Sequence, residues 1–169
     1  MNDSNDTNNW LQKAKQRLSD NRFEISENTT GYGNLPIRML AHRSRFEITK
    51  FGYSETFFIF TEFESINAEE MQAFSSAAFT CAKNSKKIPL PCGLFESVWC
   101  FAVAIADQVD EALIEKIRKE VPPKHWAAAE IPVIWDTTMK QLYYLEKTPI
   151  WGAAYYAGFR SQIKKLLGE

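Results

Sequence analysis

Apolar positions along this chain switch between helical and strand-like spacing, and the switches mark out its elements. From Asn9 onward, Trp10, Leu11, Ala14 and Leu18 recur at helical spacing with Lys13, Lys15 and Arg17 opposite them, which predicts a short amphipathic helix. Residues 1–8 are mostly Asn, Asp, Ser and Thr with little to bury, and read as a disordered arm. Residues 20–34 form a polar loop around Gly31-Tyr32-Gly33, with room for a short strand at 22–25. Strands are expected at 37–41 and at 43–50, where Phe46 and Ile48 alternate with Arg45, Glu47 and Thr49. Phe51-Gly52-Tyr53-Ser54 reads as a turn. The segment 55–63 carries Phe57, Phe58, Ile59, Phe60 and Phe63 and is apolar on both sides. That places it centrally in a sheet, covered on both faces.

The pattern then returns to helical spacing. Asn67 and Glu70 form a capping-box pair, and Met71, Phe74, Ala78 and Cys81 follow on one face. Lys83, Lys86 and Lys87 lie at the end of this helix, and Pro89 and Pro91 stop it. Residues 98–105 form a second apolar strand. Asp107 or Asp110 caps a helix with Leu113, Ile114, Ile117 and Val121 inward, ended by Pro122-Pro123.

The last forty residues carry the most consistent signals. Strands are predicted at 131–135 and 141–145, joined by the polar connection 136–140. Pro132 cannot donate to a ladder, so the first strand is expected at a sheet edge or with its N–H side unpaired. A long helix starts at Thr148-Pro149, with Thr148 as cap and Pro149 at the first helical position, and runs to about Leu167. Lys164 and Lys165 suit the negative end of its dipole, and Gly168 caps it. Gly152, Ala153, Ala157 and Gly158 interrupt its apolar face. A helical glycine costs roughly 1 kcal/mol relative to alanine, so the two glycines suggest a closely approaching backbone, from the sheet or from a second copy.

The order is helix, two or three strands, helix, strand, helix, two strands, helix. It predicts one α+β domain over 9–169, with a mainly antiparallel mixed sheet packed by helices. Composition refines this. With 169 residues, the chain can bury roughly 70% of its unfolded surface and needs no disulfide or metal to fold. A net charge of −1 argues against wholesale electrostatic binding of nucleic acid. The three cysteines, Cys81, Cys92 and Cys100, and the absence of a signal peptide point to a reducing cytoplasm. No run of eighteen apolar residues exists, which excludes a transmembrane helix and any membrane role resting on one.

Candidate chemistry is sparse. His42 and His125 are the only histidines. A catalytic set could be drawn from His125, Cys92 or Cys100, and Asp136, but their spacing does not require it. Cys100, between Trp99 and Phe101, reads as a small core residue, which leaves Cys92 as the better thiol nucleophile. The eight-residue offset of Cys92 and Cys100 is no zinc pattern, and no Gly-rich phosphate loop or nucleophile elbow is present, so neither metal nor cofactor is expected. Arg38, His42, Arg43 and Arg45 form a basic cluster. Alternation puts Arg43 and Arg45 on one side of a strand, able to grip phosphate or carboxylate, but cross-strand ion pairs with Glu47, Glu55, Glu62 or Glu64 on a solvated face explain the cluster without a ligand and are the preferred reading.

The run of a helix, three strands, a helix and a strand is similar in order to the core of restriction-endonuclease-like folds. That resemblance would imply an aspartate on one strand and Glu-x-Lys on the next, holding magnesium. Glu47-Ile48-Thr49-Lys50 and Glu146-Lys147 have the wrong spacing, and no Asp occurs between Asn21 and Phe101. The likeness therefore stays with topology.

Aromatics crowd the final third: Trp126, Trp135, Tyr143, Tyr144, Trp151, Tyr155 and Tyr156. Trp and Tyr are favoured interface anchors. The expectation is a non-catalytic cytoplasmic binding domain that self-associates as a homodimer, or docks another protein, through the closing hairpin and helix, with Trp151, Gly152, Tyr155, Gly158 and Phe159 at the interface. The alternative is a small enzyme with a pocket near Arg43, Arg45, His125 and Asp136. A second alternative is a nucleic-acid-binding or degenerate restriction-endonuclease-like domain.

Overall fold

Strand alternation sets the architecture. The computed structural model describes residues 3–48, 51–89, 93, 95–148 and 153–168. Its strands are β1 (Glu24–Thr30), β2 (Pro36–Glu47), β3 (Gly52–Ile66), β4 (Glu96–Val109), β5 (Lys124–His125), β6 (Ala128–Asp136) and β7 (Gln141–Tyr143). They form one sheet in the order β1-β2-β3-β4-β6-β5, with β7 also paired to β6. The helices among the described residues are α1 (Asp3–Asp20), α2 (Ala68–Asn84), α3 (Glu111–Lys119) and α4 (Ala153–Leu167). The fold is α+β with a mixed sheet. Four of its six pairings are antiparallel, while β3, β4 and β6 run parallel at the centre. α2 and α3 are the crossovers that such parallel neighbours need.

Alternate residues of the central strands serve opposite layers. Phe58 and Phe60 of β3, Phe101 and Val103 of β4, and Ile131, Val133 and Trp135 of β6 pack under α1 and α4. Phe57, Ile59, Cys100, Ala102 and Ala104 pack under α2 and α3. The segment expected at the centre of the sheet is there, with Phe57, Phe58, Ile59 and Phe60 fully buried. Trp10 ties α1 to both ends of the first layer: it stacks on Trp135 at 4.4 Å, and its Nε1–H donates to the Leu167 carbonyl at 2.9 Å.

Several boundaries differ from expectation. α1 begins at Asp3, so most of the residues read as an arm belong to the helix. The two short strands expected at 37–41 and 43–50 are one strand, β2. Of the turn expected at 51–54 only Phe51 turns, its amide donating to the Ile48 carbonyl at 3.2 Å, while Gly52, Tyr53 and Ser54 already belong to β3. β7 is three residues long. The capping box at Asn67 and Glu70 is formed as read, and Asp110 rather than Asp107 caps α3. Thr148 accepts a hydrogen bond from Arg160 Nη2 at 2.8 Å, and α4 is described only from Ala153, so the expected start at Pro149 lies outside the described residues. Pro132 pairs with Ala102 of β4 on one side. On the other, β5 covers Ala128 and Ala129 and β7 covers Ile134 to Asp136, which leaves Pro132 in the unpaired gap between them.

Candidate functional site

Arg43 pairs with Thr56 on β3, which aligns with Trp99 on β4, Ala129 on β6 and Lys124 on β5. Arg43 and His125 therefore sit at one end of the sheet but four strands apart, about 19 Å. Asp136 lies at the other end of β6, about 26 Å along the strand. The structure brings none of the three together, and the pocket expected around Arg43, Arg45, His125 and Asp136 does not form.

Each of these groups has local work instead. The Arg43 guanidinium lies 4.3 Å over the Phe23 ring, and its Nη1 donates to the Asn21 carbonyl at 3.0 Å, closing the end of α1. Burial, and then the Arg45 charge, lowers its pKa from the usual arginine value. Arg45 is exposed on the same side of β2. His125 stacks on Phe79 and approaches Glu130 at 3.2 Å. Asp136 is buried and accepts from the Met139 amide at 2.8 Å, which shapes the β6–β7 turn. Arg38 forms the cross-strand pair with Glu62 at 3.1 Å. Of the thiols, Cys81 and Cys100 are buried and free. Burial first, then Glu130 and Cys81, pushes the Cys100 thiol well above its ordinary range. Cys92 lies outside the described residues.

His42 leaves the arginine cluster altogether. It points to the α2 side, stacks on Phe57 and pairs with the fully buried Glu55. The other oxygen of Glu55 accepts from the Lys87 and Ile88 amides at 3.1 and 2.9 Å, anchoring the chain after α2. Lys86 pairs with buried Glu96. No three His, Cys, Asp or Glu side chains converge as metal donors among the described residues.

What the same end of the sheet does present is apolar surface. Trp126 is 84% exposed, Phe51 77% and Ile48 75%, and Phe95 and Phe46 are about half exposed. Local contacts fix some of them in place. The Tyr53 amide donates to the Phe95 carbonyl at 2.7 Å, and the Phe46 ring meets Tyr53 edge-on at 5.2 Å. Gly93, at φ 104°, lies so close to Trp126 that an added Cβ would fall 2.1 Å from its Nε1. Phe51 and Ala127 have φ of 48° and 52°, unusual for residues with a Cβ, so the backbone is strained where the aromatics are displayed. Tyr155, 52% exposed, borders this end through Trp99, 5.9 Å away.

Of the other residues expected at an interface, Phe159 is core: it is buried against Trp99 and Phe101. Gly158 faces open space among the described residues, with nothing of theirs within 4 Å of an added Cβ, so no backbone among them outside its own helix approaches it. Trp151 and Gly152 lie outside the described residues. Sequence reasoning named Trp126 only among the crowded aromatics of the final third and Phe51 only as a turn residue, although a large apolar residue in a turn or linker was the available signal.

These features define a three-layer α+β domain with an apolar sheet end. Comparison with known proteins finds no matching family model, no matching curated protein and no matching solved structure. Among the described residues, no helix is long and apolar enough to cross a membrane.

Proposed function

We propose that this chain is a non-catalytic interaction domain of the cytoplasm that self-associates through the apolar end of its sheet and the adjoining first turns of α4. One observation carries the reading: Phe46, Ile48, Phe51, Phe95 and Trp126 are all exposed at the same end of the sheet, Phe51 and the residue after Trp126 at positive φ. Large apolar side chains exposed in such number mark docking surfaces. Five such side chains, with Tyr155 beside them, supply the centre of an interface whose usual size is about 800 Å² per partner. A net charge of −1 leaves two copies without long-range repulsion. Two buried free thiols fit a reducing compartment. The enzyme reading gains no support from groups that lie on opposite faces and at opposite ends of the sheet. Phosphate binding gains none from an Arg43 engaged with Asn21 and Phe23.

Sedimentation velocity across a wide concentration range tests the proposal. The chain should dimerise, and Phe51→Ser combined with Trp126→Ser should be monomeric with unchanged circular dichroism. A wild-type chain that stays monomeric at the highest concentration, or a double variant that still dimerises, would refute it.

A further inference from the structure

The α2/α3 side of the sheet holds a half-open cavity. Its volume is about 310 Å³, at the small end of the range of about 300–1,000 Å³ for ligand sites. Met71 of α2, Leu113 and Ile117 of α3 and Pro132 of β6 give it apolar walls.

Gln72, Ser75, Lys116, Glu120 and Glu130 interrupt those walls, and of these only Glu130 and Ser75 are buried. Glu130 is 5% exposed. Its described hydrogen bonds are both long, 3.4 Å from Ser76 Oγ and 3.2 Å from His125 Nε2. A carboxylate has about four acceptor positions, so Glu130 retains capacity toward the cavity. Ser75, 2% exposed, also lines the space, and its Oγ has no hydrogen-bond partner among the described residues. A buried hydroxyl left unmade is costly, and a ligand N–H or O–H would satisfy it.

We propose that this cavity binds a small primary amine with an apolar body, its ammonium held by Glu130 and Ser75 and its body packed between Met71, Leu113 and Ile117. The carboxylate at the inner wall selects for charge. An anion would meet the buried Glu130 unfavourably, while Lys116 and Glu120, which also line the cavity, are less buried and opposite in charge to each other. A neutral alcohol would gain a hydrogen bond without the charge pairing. No three His, Cys, Asp or Glu side chains converge here as metal donors among the described residues. The site lies away from the apolar sheet end, on the face covered by α2 and α3, and does not depend on self-association.

Calorimetric titration of the full chain with benzylamine, benzyl alcohol and phenylacetate tests it. Benzylamine should bind saturably, benzyl alcohol about tenfold or more weakly, and phenylacetate not at all. Glu130→Gln keeps the shape and removes the charge, and should weaken benzylamine by about tenfold or more. Val121→Trp, in the loop after α3, fills the cavity without touching Glu130 and should abolish binding while the chain stays folded. Equal binding of the amine and the alcohol by the wild-type chain overturns the ammonium assignment. Absence of saturable benzylamine binding, or its retention in folded Val121→Trp, overturns the site. Both arms hold even where Glu130→Gln fails to fold.

Discussion

One face of the sheet interlocks large rings; on the other, the central strand β4 presents small residues, and buried carboxylates lie among the apolar side chains. Along β4, Phe101, Val103 and Ile105 point toward α1 and α4, while Cys100, Ala102, Ala104 and Ala106 point toward α2 and α3. The first face interlocks through Trp10 on Trp135, Phe58 on Phe101 and Phe101 against Phe159. The second embeds Glu55, Glu96 and Glu130, each held by a lysine, histidine or amide partner, and holds the cavity. Large rings interlock there with few polar groups among them, so that face supplies stability. Small residues draw helices close but cannot fill every gap, so polar anchors and binding space fall on the other face.

Removing a ring should cost most. Phe101 is fully buried, stacks on Phe58 at 4.2 Å and meets Phe159 edge-on at 5.8 Å. Phe101→Ala should destabilise the chain by about 4 kcal/mol in urea unfolding, because the cavity lies between two layers that cannot both collapse into it. A loss of under about 1 kcal/mol would mean that this face is loosely packed and that the contrast between the faces is false.

The polar face should respond to chemistry more than to volume. Glu55→Ala strands the Lys87 and Ile88 amides and the His42 ring without an acceptor, and should cost about 3 kcal/mol. Glu55→Gln retains a carbonyl oxygen for the amides and should cost clearly less. Equal losses in the two variants would show that shape, not hydrogen bonding, matters at Glu55.

A smaller effect is expected from Cys100. The folded state holds its thiol protonated, while an unfolded chain loses that proton above the ordinary thiol value of 9.0. The native state then binds more protons, so stability falls as pH rises through that value, by about 1.4 kcal/mol per pH unit for one group. Cys100→Ala should flatten this decline between pH 9 and 10. Tyr143, Tyr144 and Tyr156, also raised chiefly by burial, leave a residual slope of the same sign at higher pH. An unchanged slope in Cys100→Ala would mean that the thiol ionises in the folded chain.

The sequence revealed what is local and hid what is not. The Asn67–Glu70 box needs only four residues, and the two-sided apolar run at Phe57 to Phe60 announces its own burial. Alternation also put Arg43 and Arg45 on one side of β2. It could not show that Arg43 reaches Asn21, twenty-two residues back, because that contact depends on how β2 passes α1. Strand periodicity assigns faces but not neighbours, so a mainly antiparallel mixed sheet was legible, but not that its parallel part is the centre formed by β3, β4 and β6. The closing helix shows the same limit: its aromatics form one broad stripe, and only packing separates buried Phe159 from exposed Tyr155. Glu55 and Glu130 were legible as charges abutting apolar runs, a pattern that marks either a solvated end or a buried anchor.

Gly158 offers the smallest effect. It lies on the exposed side of α4, and an added Cβ would meet nothing of the described residues within 4 Å. In the monomer the glycine brings only its conformational freedom, so Gly158→Ala should stabilise the chain by about 0.8 kcal/mol. Gly158→Leu should gain nearly as much in dilute solution. Its added side chain would project next to Tyr155, so at high concentration it should weaken self-association if the first turns of α4 belong to the interface. Thermal unfolding at low concentration and sedimentation at high concentration separate the two effects. Stabilisation with unchanged assembly would confine docking to Phe51, Phe95 and Trp126. Destabilisation by Gly158→Ala would contradict the open space around this glycine and return it to packing within the chain.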